Sequence, residues 1–154
     1  MNLVDELFAI VGALHETQVP YAVCGGIAVT IHGATRTTKD IDLLVDPEDV
    51  ERAVDAIRPL GYTFRALPMT FAKGTEREQR VQRVSKLMGE EVLVVDLILA
   101  GGDTLGYLRS AIEVDTPDGL VRVVGRGALV AMKRAAGRPQ DLADIERLES
   151  DESP

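Results

Sequence analysis

Residues 92–99 read Val-Leu-Val-Val-Asp-Leu-Ile-Leu, an apolar run interrupted only by Asp96. A run of this length, rich in branched side chains and followed by Gly101-Gly102, predicts a buried strand. A carboxylate in its middle is costly to bury unless it is paired, protonated or bound to a metal ion. A salt bridge to a nearby arginine meets that demand; so does a place in a reactive site. A second strand is predicted at Asp40-Ile41-Asp42-Leu43-Leu44-Val45. Alternate residues of a strand share a face, which brings Asp40 and Asp42 together and turns Ile41 toward the core. Two adjacent carboxylates repel, and a hard divalent cation such as Mg²⁺ removes that cost. Alone, the Asp-x-Asp pattern equally describes a strand end in water. If the two strands are neighbours, three carboxylates meet at one end of a sheet, with Asp96 also able to accept a proton from an attacking hydroxyl.

The rest of the chain reads as one domain over residues 1–148. Leu3, Leu7, Val11 and Leu14 recur at helical spacing. A short apolar run at 21–24 ends at Gly25-Gly26, predicting strand, glycine turn and a short helix up to Gly33. Asp46-Pro47 starts a helix that Gly61 closes. Another strand is expected at 62–66, residues 67–80 show no pattern, and strands at 81–87 and 91–99 flank Gly89. A hairpin around Pro117-Asp118-Gly119 precedes helices at 128–136 and 139–148. Residues 149–154 form an acidic tail expected to be disordered.

With 154 residues the chain can build a core without disulfide or structural metal. The single Cys24 points to a reducing compartment. Asp5 and Glu6 stand where a signal peptide would be basic, and no stretch reaches the ~18 apolar residues of a membrane span. A cytoplasmic protein with no membrane partner is expected. A net charge of −8 argues against coating nucleic acid through bulk charge. The charge is uneven, however: residues 65–86 hold six basic residues against Glu76 and Glu78, and residues 122–138 hold five and no acid. Gly25-Gly26 lets backbone N–H groups approach a phosphate closely. His32 reads better as a packed, hydrogen-bonded residue than as a general acid. Asp141 and Asp144 read as structural acids pairing with Lys133 or Arg138, and Cys24 as a small buried residue.

Gly25-Gly26-Ile27-Ala28, His32-Gly33, Arg36-x-Thr38-x-Asp40-Ile41-Asp42, Asp96, Lys133 and Gly137-Arg138-Pro139-Gln140-Asp141 occur in one order along the chain. In this it resembles the DNA polymerase β-like nucleotidyltransferase superfamily, in particular its small AbiEii-type and minimal members. The resemblance implies an α/β (α+β) fold: a mixed, largely antiparallel sheet of four to six strands flanked by helices, with the active site at one sheet edge. It implies that Gly25 and Gly26 contact an NTP such as ATP, with Arg36, Thr38 and Lys133 in nucleotide-binding positions. Asp40 and Asp42 would bind Mg²⁺ or Mn²⁺, with Asp96 as the third catalytic and metal-binding acid. The implied reaction moves a nucleoside monophosphate from the NTP to an acceptor hydroxyl on RNA (tRNA included), protein or a small molecule, releasing pyrophosphate. An antitoxin partner belongs to the same resemblance. Gly26 departs from the pattern, since many members carry serine there. The rival readings are a nucleotide-binding module of the same fold without turnover and a Mn²⁺-dependent glycosyltransferase. The second is disfavoured by the Asp96 strand.

Overall fold

The computed structural model describes residues 3–34 and 37–150. Helix α1 (Leu3–Glu16) buries the stripe Leu7, Ile10, Val11 and Leu14. Strand β1 (Ala22–Cys24) runs straight into α2 (Gly25–Ile31), so Gly25 and Gly26 are the first residues of the helix rather than a separate turn. Strand β2 (Asp40–Val45) has the expected bounds. The Asp46 side chain accepts from the Glu48 N–H at 2.9 Å, and Pro47 opens a 3₁₀ turn (Pro47–Asp49) that leads into α3 (Val50–Ile57). A second 3₁₀ turn ends at Gly61, whose φ of 106° needs glycine.

Strands β3 (Phe64–Arg65), β4 (Met69–Phe71), β5 (Gln79–Met88) and β6 (Glu91–Leu99) follow. Helix α4 (Asp103–Arg109) leads to the hairpin β7 (Ile112–Thr116) and β8 (Gly119–Val123). Helices α5 (Arg126–Ala136) and α6 (Pro139–Ser150) meet at Gly137, in the left-handed region. No described helix is long and apolar enough to cross a membrane.

The fold is α+β, and its mixed sheet has eight strands, more than the four to six expected. Their order is β3-β5-β6-β2-β1-β8-β7, with β4 also paired to β5. The β2–β6 and β1–β8 pairs are parallel and the others antiparallel. β3 falls within the strand expected at 62–66, while β4, three residues long, is too short to leave a periodic signal. A second correction concerns position: β2 lies in the middle of the sheet, so its acids are not at a sheet edge.

The two faces of the central strands differ in chemistry. Ile41, Leu43, Val45, Val84, Val95 and Leu97 share one face and are wholly buried. Lys86 lies on this face too and meets Glu6 of α1 at 2.6 Å. Tyr62 donates its hydroxyl to the same Glu6 oxygen at 2.7 Å, and Lys86 Nζ donates to the Leu60 carbonyl. Burial and then the Glu6 contact push the Tyr62 phenol up. This buried triad joins α1 to β5. The opposite face carries Asp40, Asp42, Asp96 and Arg83.

Candidate active site

Register alone assembles the acidic row. Cys24 of β1 pairs with Asp42 of β2, Asp42 with Asp96 of β6, and Asp96 with Arg83 of β5. Register partners lie on the same face, so these four side chains form one line across four strands. Asp40 stands two residues along β2 from Asp42, opposite Val94.

Asp96 is held by the arginine that its apolar setting calls for. Arg83 Nε donates to Oδ1 at 2.8 Å and Nη2 to Oδ2 at 2.9 Å, a fork that engages both oxygens. Asp42 has no such partner: burial, then Asp96, then Asp40 push its carboxyl up to about 7, against the pull of Lys133 and Arg138. Burial also raises the Cys24 thiol, which is free and buried.

Beside the acids opens a cleft of about 370 Å³, within the range of small-molecule sites. Gly25 and Gly26 form one wall, the loop Thr37, Thr38 and Lys39 another, and Asp40, Asp42, Lys133 and Arg138 complete it. Cys24 gives α2 no side-chain cap, which leaves the first N–H groups of the helix for a ligand on this side. Lys133 Nζ is nearly buried and lies 2.9 Å from Asp144 and 3.5 Å from Asp141. Arg138 Nε donates to Asp141 Oδ2 at 2.7 Å, while most of its side chain is exposed toward the cleft mouth. Burial raises the Asp141 carboxyl, and its contacts with Arg138 and Lys133 outweigh that and hold it below the usual range.

Residues 1–115 match the family described as "Uncharacterised nucleotidyltransferase". The chain belongs to this nucleotidyltransferase family. Solved structures share the fold at low identity. The structure of the lincosamide antibiotic adenylyltransferase LnuA, with lincomycin bound, aligns with a TM-score of 0.62 and 17% identity over 95% of this chain and 96% of that one. A Thermotoga maritima protein described as a nucleotidyltransferase gives 0.65 and 13% over 96% and 92%. ANT(2″)-Ia in complex with adenylyl-2″-tobramycin gives 0.61 and 16% over 97% and 89%. No match is found among curated proteins.

In this nucleotidyltransferase, Gly25, Gly26, Thr38, Asp40, Asp42 and Lys133 line one cleft, and Asp96 adjoins it through Asp42. The Thr38 hydroxyl donates to the Asp40 carbonyl at 3.3 Å. Arg36 lies outside the described residues. His32 is structural: its Nε2 bonds the Val124 carbonyl at 2.8 Å, and Arg126 spans the His32 and Leu148 carbonyls. Asp141 and Asp144 pair with Lys133 and Arg138 as read from the sequence. Arg83 on Asp96 was not singled out beforehand, and Arg138 was read as a partner for Asp141 or Asp144 but not as a residue of the cleft. Only the strand register could reveal the first.

Among the described residues no three acidic, histidine or cysteine side chains close around a point as a ready metal cage. A Mg²⁺ ion does not require one, since it takes one or two carboxylates and completes its shell with substrate phosphates and water. Asp40 and Asp42 suit that role, and the raised Asp42 carboxyl marks a place short of positive charge.

Proposed function

We propose that the protein transfers a nucleoside monophosphate from an NTP to an acceptor hydroxyl and releases pyrophosphate, with a divalent cation on Asp40 and Asp42. The observation that carries this reading is the cleft that puts Gly25, Gly26 and Arg138 beside Asp42, itself paired with Asp96. The backbone N–H groups at the start of α2 and the Arg138 guanidinium bind the β- and γ-phosphates. Lys133, fixed by Asp144, contributes positive charge from the cleft wall. Asp96 takes the proton of the acceptor hydroxyl as its oxygen bonds to the α-phosphorus and the bond to the pyrophosphate oxygen breaks. When bound, the cation neutralises phosphate charge and stabilises the leaving pyrophosphate.

The buried, lone Cys24 suits a reducing cytoplasm. An AbiEii-type placement, an antitoxin partner and a tRNA acceptor have no structural observation behind them and are not part of the proposal. The test is pyrophosphate release with each NTP, with Mg²⁺ or Mn²⁺, in the presence of cell extract. Release that is lost in Asp42→Asn supports the reading. No release with any NTP, or full activity in Asp42→Asn, rejects it.

A further inference from the structure

The side of the sheet from which the acceptor arrives follows from the strand order, given the reaction proposed above, on which this inference rests. Phosphoryl displacement runs in line, with the attacking and leaving oxygens on opposite sides of phosphorus. Of the groups suited to the leaving pyrophosphate, Gly25 and Gly26 follow β1 directly and so stand on its side of β2, in a cleft that Arg138 also lines and Asp96 does not. The attacking oxygen must therefore enter over β6, on the other side of β2, where Asp96 is.

That side is an open apolar platform. Asp40 pairs with Val94, Val94 with Ser85 and Ser85 with Phe64, a second row on the same face as Asp42, Asp96 and Arg83. Leu87 and Val92 pair in a third row, where the β5–β6 hairpin runs past the start of β2. Phe64, Leu87 and Val92 are 58%, 60% and 56% exposed. Three large apolar side chains thus stand together in water on the face that carries the acids.

Its size and charge select the occupant. Three strands at about 4.8 Å spacing and two rows about 7 Å apart give a patch on the order of 10 Å across. That is far below the roughly 800 Å² per partner of a stable protein interface. A phosphate backbone would find no free cation among the described residues of the platform: Arg83 is held by Asp96, and Glu90 and Glu91 stand at the hairpin tip. We infer that the platform of Phe64, Leu87, Val92 and Val94 binds the apolar body of a small-molecule acceptor and presents its hydroxyl to Asp96.

The experiment follows label from α-³²P-NTP into a cell extract, separated into small-molecule, RNA and protein fractions. The enzymes compared are wild type, Phe64→Ser/Leu87→Ser and the control Leu120→Ser, whose side chain is exposed on β8. The expected result is label in a butanol-extractable small molecule. Its formation falls at least tenfold in the double variant and stays unchanged in the control, while calorimetric affinity for a non-hydrolysable NTP with Mg²⁺ stays within twofold in all three. Label in RNA or protein, or equal transfer by the double variant, overturns the platform and leaves the nucleotidyl-transfer reading standing. A wild-type dimer in sedimentation that the double variant abolishes also overturns it, in favour of a second copy on this face. No pyrophosphate release with any NTP overturns the reading and the platform together.

Discussion

Asp42 occupies the space that a side chain on Gly25 would need. A β-carbon built on Gly25 falls 2.8 Å from Asp42 Cγ and 2.9 Å from its Cβ, inside any permitted contact. Gly25 also has φ of 67°, where a β-carbon is strained in any case. One glycine thus lets the helix start and the carboxylate share a site, tying the N-terminal end of α2 to the acidic row.

Gly25→Ala is expected to displace Asp42 and lower turnover about a hundredfold or more, with a stability loss of about 1–3 kcal/mol. Gly33→Ala is the comparison, because Gly33 has φ of 101° but open space around its Cα. It is expected to cost about 1 kcal/mol and leave turnover intact. Thermal melts and pyrophosphate release measure both.

The Asp42 carboxyl titrates near 7 in the folded protein against 3.8 for the free group. Between these values the folded state holds a proton that the unfolded state has lost. The associated stability is therefore fully present below about 3.8 and is lost as pH rises to about 7. Asp42→Asn is expected to remove this fall and to raise stability at pH 8 by on the order of 1–4 kcal/mol. Urea unfolding at pH 5 and pH 8 checks it, and Mg²⁺ should stabilise the wild type more at pH 8 than at pH 5.

Lys133 and Arg138 touch the same Asp141 but should behave differently. Lys133→Met leaves the wholly buried Asp144 without its cation and is expected to cost about 3–5 kcal/mol of stability. Arg138→Ala removes a largely exposed side chain but leaves the buried Asp141 to Lys133 alone, so stability should fall by about 1–3 kcal/mol, less than for Lys133→Met. The KM for NTP should rise roughly tenfold, the loss of one charge-assisted phosphate contact. A comparison of urea midpoints with NTP kinetics separates the two roles.

Arg83 acts through Asp96 and is a positioning residue. Arg83→Gln is expected to lower kcat about 10–100-fold while the KM for NTP, whose proposed cleft lies on the other side of β2, holds within about twofold. Arg83→Lys should recover part of kcat, since an ammonium restores the charge but not the fork.

The acids were legible in the sequence because their signal is local: alternate positions on a strand that Asp46-Pro47 closes, and one carboxylate in an apolar run. The pairing of Asp141 and Asp144 with Lys133 and Arg138 was also within reach, four charged groups within twelve residues that span the α5–α6 junction. What escaped depends on contacts distant in sequence. The central place of β2 comes from its parallel pairing with β6, and only that register shows Arg83 facing Asp96. Strand β4 lies in the polar stretch 67–80 and exposes most of its side chains, so neither periodicity nor burial announced it, whereas β3 falls inside the strand expected at 62–66. Gly25-Gly26 read as a turn because a helix start and a turn ask for the same residue.

The pairing of β2 with β6 also sets when the site can exist. Asp42 and Asp96 meet only after the 53 intervening residues have closed into a loop, and no shorter piece of chain brings them together. A growing chain that has placed β2 outside the ribosome still lacks its third acid. The far wall of the cleft waits longer, for Lys133 and Arg138 near the other end of the described chain. A nascent or truncated form is thus held inactive by topology alone, and activity should appear in one step with closure of the sheet.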